Sequence, residues 1–176
     1  MTRPLILIDV DGPLNPYDAK PHRRPEGYKT LRLRPKGWEH ARKPLRVWLN
    51  ESHGPALLAL AEETGSDLAW ATTWESDANT MIGPAIGLPE LPVVHFDDHP
   101  VVVKTWKYGS VLKFAGDRPV YWFDDDFRSV RFAAANAEFV EARGDLPTWL
   151  HDVDSRIGLT EVDFSLARMR LAKLSG

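Results

Sequence analysis

Two aspartates separated by a single residue, Asp9 and Asp11, close an unbroken apolar run from Leu5 to Ile8, and Gly12 follows them. Three more, Asp124, Asp125 and Asp126, close a second apolar run that starts at Pro119. Between the two, a run from Asp67 ends in Thr72 and Thr73, and lysines stand at Lys104 and Lys107. Side chains alternate along an extended backbone, so Asp9 and Asp11 share a side. Gly12 permits a turn that a side chain would hinder. Carboxylates gathered without basic partners repel one another unless a cation neutralises them. The donors are oxygens and the chain has no cysteine, so Mg²⁺ is the natural occupant. A hard cation, spare carboxylates, hydroxyls and a lysine are the parts that phosphoryl transfer uses.

These tips can meet only if the runs lie side by side and point the same way. Continuous apolar stretches without alternation read as strands covered on both faces, the pattern of a parallel sheet. In an open α/β sheet the site lies beyond the carboxyl ends of the strands. The remaining pattern predicts helices over 55–64, 75–86, from about Tyr108 to Phe114, and over 127–137. It predicts a fourth strand over Glu138–Ala142 and a closing helix over 160–174 with Thr160 and Asp163 in capping-box spacing. Short strands at Tyr28–Arg34 and Leu45–Leu49 suggest a hairpin. The expectation is a single α/β domain over 1–176, three-layered and Rossmann-like, with a mainly parallel sheet and no large cap domain. A flap insertion interrupts it at about 15–48.

Composition narrows the class further. At 43% hydrophobic and 27% charged over 176 residues, the chain has enough apolar content to build a core and is not expected to be disordered. Without cysteine it cannot be a disulfide scaffold, use a thiol nucleophile or ligate zinc through sulfur. Its apolar runs fall far short of the ~20 residues that span a bilayer, and no signal-peptide core precedes Asp9, so the cytoplasm is the expected compartment. The net charge of −3 hides an asymmetry. Between Lys20 and Arg46, ten lysines and arginines face two glutamates, a charge of +8 that leaves −11 on the rest. A basic flap on an acidic body suits an anionic ligand, a phosphate ester or a nucleic-acid strand. Arg23, Arg24, Arg32 and Arg34 are its candidate substrate contacts.

The ordered set of motifs resembles the haloacid dehalogenase (HAD) superfamily of aspartate-nucleophile phosphohydrolases. An apolar strand with Asp-x-Asp-Gly matches Leu5 to Gly12, and a strand ending in Thr matches Leu68 to Thr72. A lysine opening a helix matches Lys107, with Lys104 as the alternative. A strand ending in paired acids matches Val120 to Asp125. More narrowly, Trp70-Ala-Thr-Thr-Trp-Glu with Asn79, and Trp122-Phe-Asp-Asp, look like small bacterial HAD domains related to those of RNA-repair proteins.

The resemblance implies that Asp9 attacks phosphorus to form an aspartyl-phosphate. Asp11 would protonate the leaving group and then activate water. Mg²⁺ would bind Asp9, the Asp11 carbonyl and the acids at the third strand's end, while Thr72, Thr73 and Lys107 hold the phosphate. Three acids stand where two are expected. Asp125 is favoured as direct ligand and Asp124 as a water-mediated one. The expected function is Mg²⁺-dependent phosphomonoester hydrolysis, with a nucleotide or phosphorylated nucleic-acid end as the preferred substrate. A sugar-phosphate phosphatase competes with it, as does a non-catalytic nucleic-acid or protein binding module.

Other features read as structural. Asp152-Val-Asp154 repeats the motif's letters without its glycine and suggests a turn. His95-Phe-Asp-Asp-His99 reads as a solvated loop beside Pro100. Trp70 and Trp122 belong to core strands.

Overall fold

The computed structural model describes residues 2–96 and 107–174. Lys104, Trp106 and the acidic and C-terminal part of the His95–His99 cluster lie outside the described residues. Four strands form a fully parallel sheet in the order β4-β1-β5-β6. They are β1 (Leu5–Ile8), β4 (Asp67–Trp70), β5 (Val120–Asp124) and β6 (Thr148–Asp152). Between β1 and β4, the strands β2 (Tyr28–Leu33) and β3 (Leu45–Asn50) pair antiparallel as a separate hairpin. Helix α1 (His53–Thr64) follows the hairpin and ends at Gly65 in the left-handed conformation. A π-turn over Ala78–Ile82 runs into α2 (Gly83–Ile86). Helices α3 (Lys107–Ala115), α4 (Ala133–Ala142) and α5 (Glu161–Ala172) complete the order.

The alternation of β1 and β5 explains the layering. Ile6, Ile8, Tyr121 and Phe123 face one side, packing with Leu57 and Leu60 of α1, Phe164 and Leu171 of α5, and Val47 and Leu49 of the hairpin. Leu5, Leu7, Val120 and Trp122 face the other, against Val111 of α3 and Phe139 of α4. Both faces are therefore roofed, which is why these strands are apolar at every position. The chain is an α/β fold with helices flanking a parallel sheet, compatible with a Rossmann-like arrangement. Among the described residues no helix is long and apolar enough to cross a membrane.

The fourth strand lies elsewhere than expected. Glu138–Ala142 is the end of α4, and the sheet's edge strand is Thr148–Asp152. The segment from Ala133 is rich in alanine, the strongest helix former, and only Phe139 of the predicted strand is buried in the core. Phe127–Ala137 is correspondingly not one helix, since a 3₁₀ turn over Val130–Phe132 precedes α4. Asp152 of the second Asp-Val-Asp closes β6, and the turn comes after it, at Ser155–Ile157. The capping box of α5 is present: Asp163 Oδ2 accepts from the Thr160 backbone N–H at 2.7 Å.

Candidate active site

Because β1, β4 and β5 are parallel and in register, Ile8 pairs with both Trp70 and Phe123. The residues just past those positions, Asp9, Thr72 and Asp124, are carried to one end of the sheet. Asp9, Asp124 and Asp125 each place a carboxylate oxygen within 4.8 Å of the others. Lys107, the first described residue of α3, reaches into the cluster. Its Nζ donates to Asp9 Oδ2 and, at 2.8 Å, to Asp124 Oδ2. All three side chains are nearly excluded from solvent.

Burial works against the charge of Lys107, but Asp124 and Asp9 beside it outweigh that and hold its pKa above the ordinary lysine value. Burial also pushes Asp124 well above the carboxylate range; Lys107 opposes the rise and Asp9 adds to it. The one buried ammonium is thus shared between two buried carboxylates.

The turn after β1 is built to bring Asp125 close. Gly12 has φ 90°, and a Cβ there would stand 2.5 Å from Asp125 Cβ. Asp125 itself accepts from the Tyr17 hydroxyl at 2.8 Å. The Asp11 carboxylate is held by two other donors. Asn15 Nδ2 donates to its Oδ1 at 2.7 Å and Trp74 Nε1 to its Oδ2 at 2.9 Å. Burial, and then the charge of Asp9, raise its pKa, while those two donors and Lys107 pull it back.

Thr72 is fully buried. Its Oγ1 accepts from the backbone N–H of Trp74 at 3.3 Å and more weakly from that of Val10 at 3.4 Å, so it joins the turns after β1 and β4. Thr73 is exposed at the rim. Glu75, two residues on, is held at φ 45°, a left-handed conformation uncommon outside glycine.

A cavity of about 620 Å³ opens above these groups, lined by Asp9, Asp11, Lys107 and Asp125, with Thr73 at its rim and Trp38, Leu45 and Arg46 on the flap side. The sequence expectation thus meets the structure unevenly. Asp9, Asp11, Thr73, Lys107 and Asp125 share this one space; Asp124 lies beneath it, bonded to Lys107; Thr72 braces it from behind. The Asp11 carboxylate is outside the group that could hold a metal. None of Arg23, Arg24, Arg32 and Arg34 lines the cavity. Arg34 donates instead to the carbonyls of Trp38 and Ala41, shaping the flap tip. Arg46 takes their place, and with Tyr17 it is a residue that sequence reasoning missed. Hairpin register would have paired Arg46 with Arg32, but no local pattern marks which hairpin end overhangs the site, and Tyr17 carries no signal at all.

The oxygen donors of Asp9, Asp124 and Asp125 suit a hard divalent cation such as Mg²⁺ rather than a soft one. No protein-family model and no curated protein matches the chain.

Proposed function

We propose that the protein is a phosphomonoester hydrolase of HAD type, working through an aspartyl-phosphate on Asp9. The observation that carries this reading is the convergence of Asp9, Asp124 and Asp125, with Lys107 bonded to Asp9 and Asp124, at an open cavity that Asp9, Lys107 and Asp125 line. Asp9 Oδ1 accepts from the Val10 N–H at 2.7 Å, which fixes the carboxylate as a nucleophile must be fixed. Its attack on phosphorus would expel the alcohol. Asp11, on the same cavity wall and raised by burial, would give that alcohol a proton. Asp11 would then take a proton from the water that attacks the acyl phosphate, releasing phosphate and restoring Asp9. Asn15 and Trp74 keep the Asp11 carboxylate aimed through both steps. Lys107 and the rim at Thr73 would meet the phosphate's negative oxygens. A divalent cation held by Asp9, Asp124 and Asp125 would shield Asp9 from the incoming dianion and polarise the transferred group.

The test is hydrolysis of p-nitrophenyl phosphate by the full chain with and without Mg²⁺. Magnesium-dependent release of nitrophenol, reduced at least about 1,000-fold in Asp9→Asn, is the expected result, since loss of a covalent nucleophile removes the whole pathway. Turnover that survives Asp9→Asn would exclude this mechanism.

A further inference from the structure

The outer face of the hairpin carries a second hollow, about 420 Å³, lined by Arg24, Arg32, Arg46, His22, Thr30 and Trp48 among others, and by no acidic residue. Arg32 and Arg46 are direct cross-strand partners, an arrangement of like charges that costs stability unless something offsets it. Among the described residues none of the three arginines makes an ion pair. Two of them are nevertheless held in place. Arg24 Nη1 donates to Thr30 Oγ1 at 3.1 Å, and Trp48 Nε1 donates to the same oxygen at 3.0 Å. Arg46 lies 3.9 Å over the Trp48 ring.

Arg46 also lines the cavity above Asp9, so the two hollows adjoin at one side chain. The hairpin is tied to the catalytic turn as well. The backbone N–H of Trp48 donates to Asn15 Oδ1 at 3.0 Å, and Asn15 in turn donates to Asp11. Preplaced guanidinium forks around a concave, acid-free surface are suited to a phosphate group.

We infer that this hollow is a subsite for a second phosphate of the substrate, seated on Arg24, Arg32 and Arg46 beyond the phosphate attacked at Asp9. The inference rests on the phosphohydrolase reading and specifies its substrate as a molecule with two phosphates. The second is either the internucleotide phosphodiester beside a terminal monoester or a free second monoester.

Three kinds of probe separate these cases: a nucleoside monophosphate, a nucleoside 3′,5′-bisphosphate, and dinucleotides phosphorylated at the 3′ or the 5′ end. With Mg²⁺, a two-phosphate probe should exceed the monophosphate in kcat/KM by about tenfold or more, in line with one charge-assisted contact. The double variant Arg24→Gln/Arg32→Gln should erase that ratio through KM, and the single exposed change Arg32→Glu should do the same. Preference for a dinucleotide identifies the phosphodiester, and preference for the bisphosphate identifies the free group. Fluorescent forms of the probes, bound to Asp9→Asn, give a readout independent of turnover.

Turnover of every probe with equal efficiency, unchanged by the arginine variants, overturns the subsite and leaves the hydrolase reading standing. Arginine-dependent binding of two-phosphate probes without turnover by the unmodified chain overturns the hydrolase reading and leaves the anion site. Neither turnover nor arginine-dependent binding overturns both.

Discussion

Two clusters of buried ionisable side chains meet on β5, and they differ in a way that separates a site from a structural brace. On the sheet's face, the Tyr121 hydroxyl lies 2.7 Å from His151 Nδ1, and His151 Nε2 lies 2.7 Å from Asp163 Oδ1. Asp163 also accepts from the Thr160 backbone and hydroxyl. Burial alone would raise the Asp163 carboxyl, but the His151 and Thr160 contacts outweigh it and hold it below the ordinary value. Every polar atom named here has a partner. At the strand's tip, by contrast, Asp9, Asp124 and Asp125 bring carboxylate oxygens within 4.8 Å of one another, Lys107 pairs with Asp9 and Asp124, and Asp9, Asp125 and Lys107 open into a cavity. Burial and hydrogen bonding are common to both. Converging oxygen donors with access to a cavity are what mark the second as able to hold a cation.

Removing Lys107 should have the largest effect. In Lys107→Met the carboxylates of Asp9 and Asp124 are left facing each other without their counter-charge, a loss of about 3–5 kcal/mol for a buried pair with one partner deleted. The expected outcome in urea unfolding is a large fall in midpoint that Mg²⁺ partly restores, because a ligand bound only by the folded state stabilises it. Equal midpoints with and without Mg²⁺ would show that the cluster holds no such ion.

Acid should act on the sealed region through His53. This ring is buried against Tyr28 and Phe164, and burial lowers its pKa from 6.5 to about 4, with the Leu159 carbonyl and Asp163 opposing the shift. The folded state thus keeps the ring neutral where the unfolded chain would protonate it. Its contribution to stability is complete above pH 6.5 and is lost as pH falls toward 4, reaching roughly 3 kcal/mol. Unfolding free energies at pH 7.5 and 4.5 should differ by less in His53→Gln than in the unmodified chain. An identical pH slope in both would remove His53 from the account.

The smallest effect belongs to the balanced cluster. Asp163→Ala deletes a helix-capping acceptor and the partner of His151, at a cost of about 1–3 kcal/mol. Thermal unfolding should register it, while hydrolysis of p-nitrophenyl phosphate stays within about twofold, the scatter of a change remote from the site. A loss of activity at constant stability would mean that the two clusters are coupled.

The same contrast explains what could be read in the sequence. The strands that carry Asp9, Thr72 and Asp124 are legible because their residues from Leu5 to Ile8, Leu68 to Trp70 and Val120 to Phe123 are all buried and apolar or aromatic. Edge strand β6 has only one buried residue, His151, among Thr148, Trp149, Leu150 and Asp152, so its pattern lacked that signature and the apolar pair Phe139-Val140 stood in for it. The division of labour among the flap arginines was illegible for a different reason. Which of them overhang the cavity follows from hairpin register and from the Asn15 tether to Trp48, contacts between residues far apart in sequence. Asp124 is buried because it still belongs to β5, where it also meets Lys107. It sits inside the strand, whereas Asp125 has passed the strand's end and faces the cavity.

The most direct measurement is a crystal structure of the full chain grown with Mg²⁺ and beryllofluoride, a mimic of the phosphoryl group. Beryllofluoride bonded to the Asp9 carboxylate, with the cation between Asp9 and the acids that follow β5, is the predicted result. A cation bound away from Asp9, or an Asp9 that stays locked to Lys107 without an adduct, would contradict it.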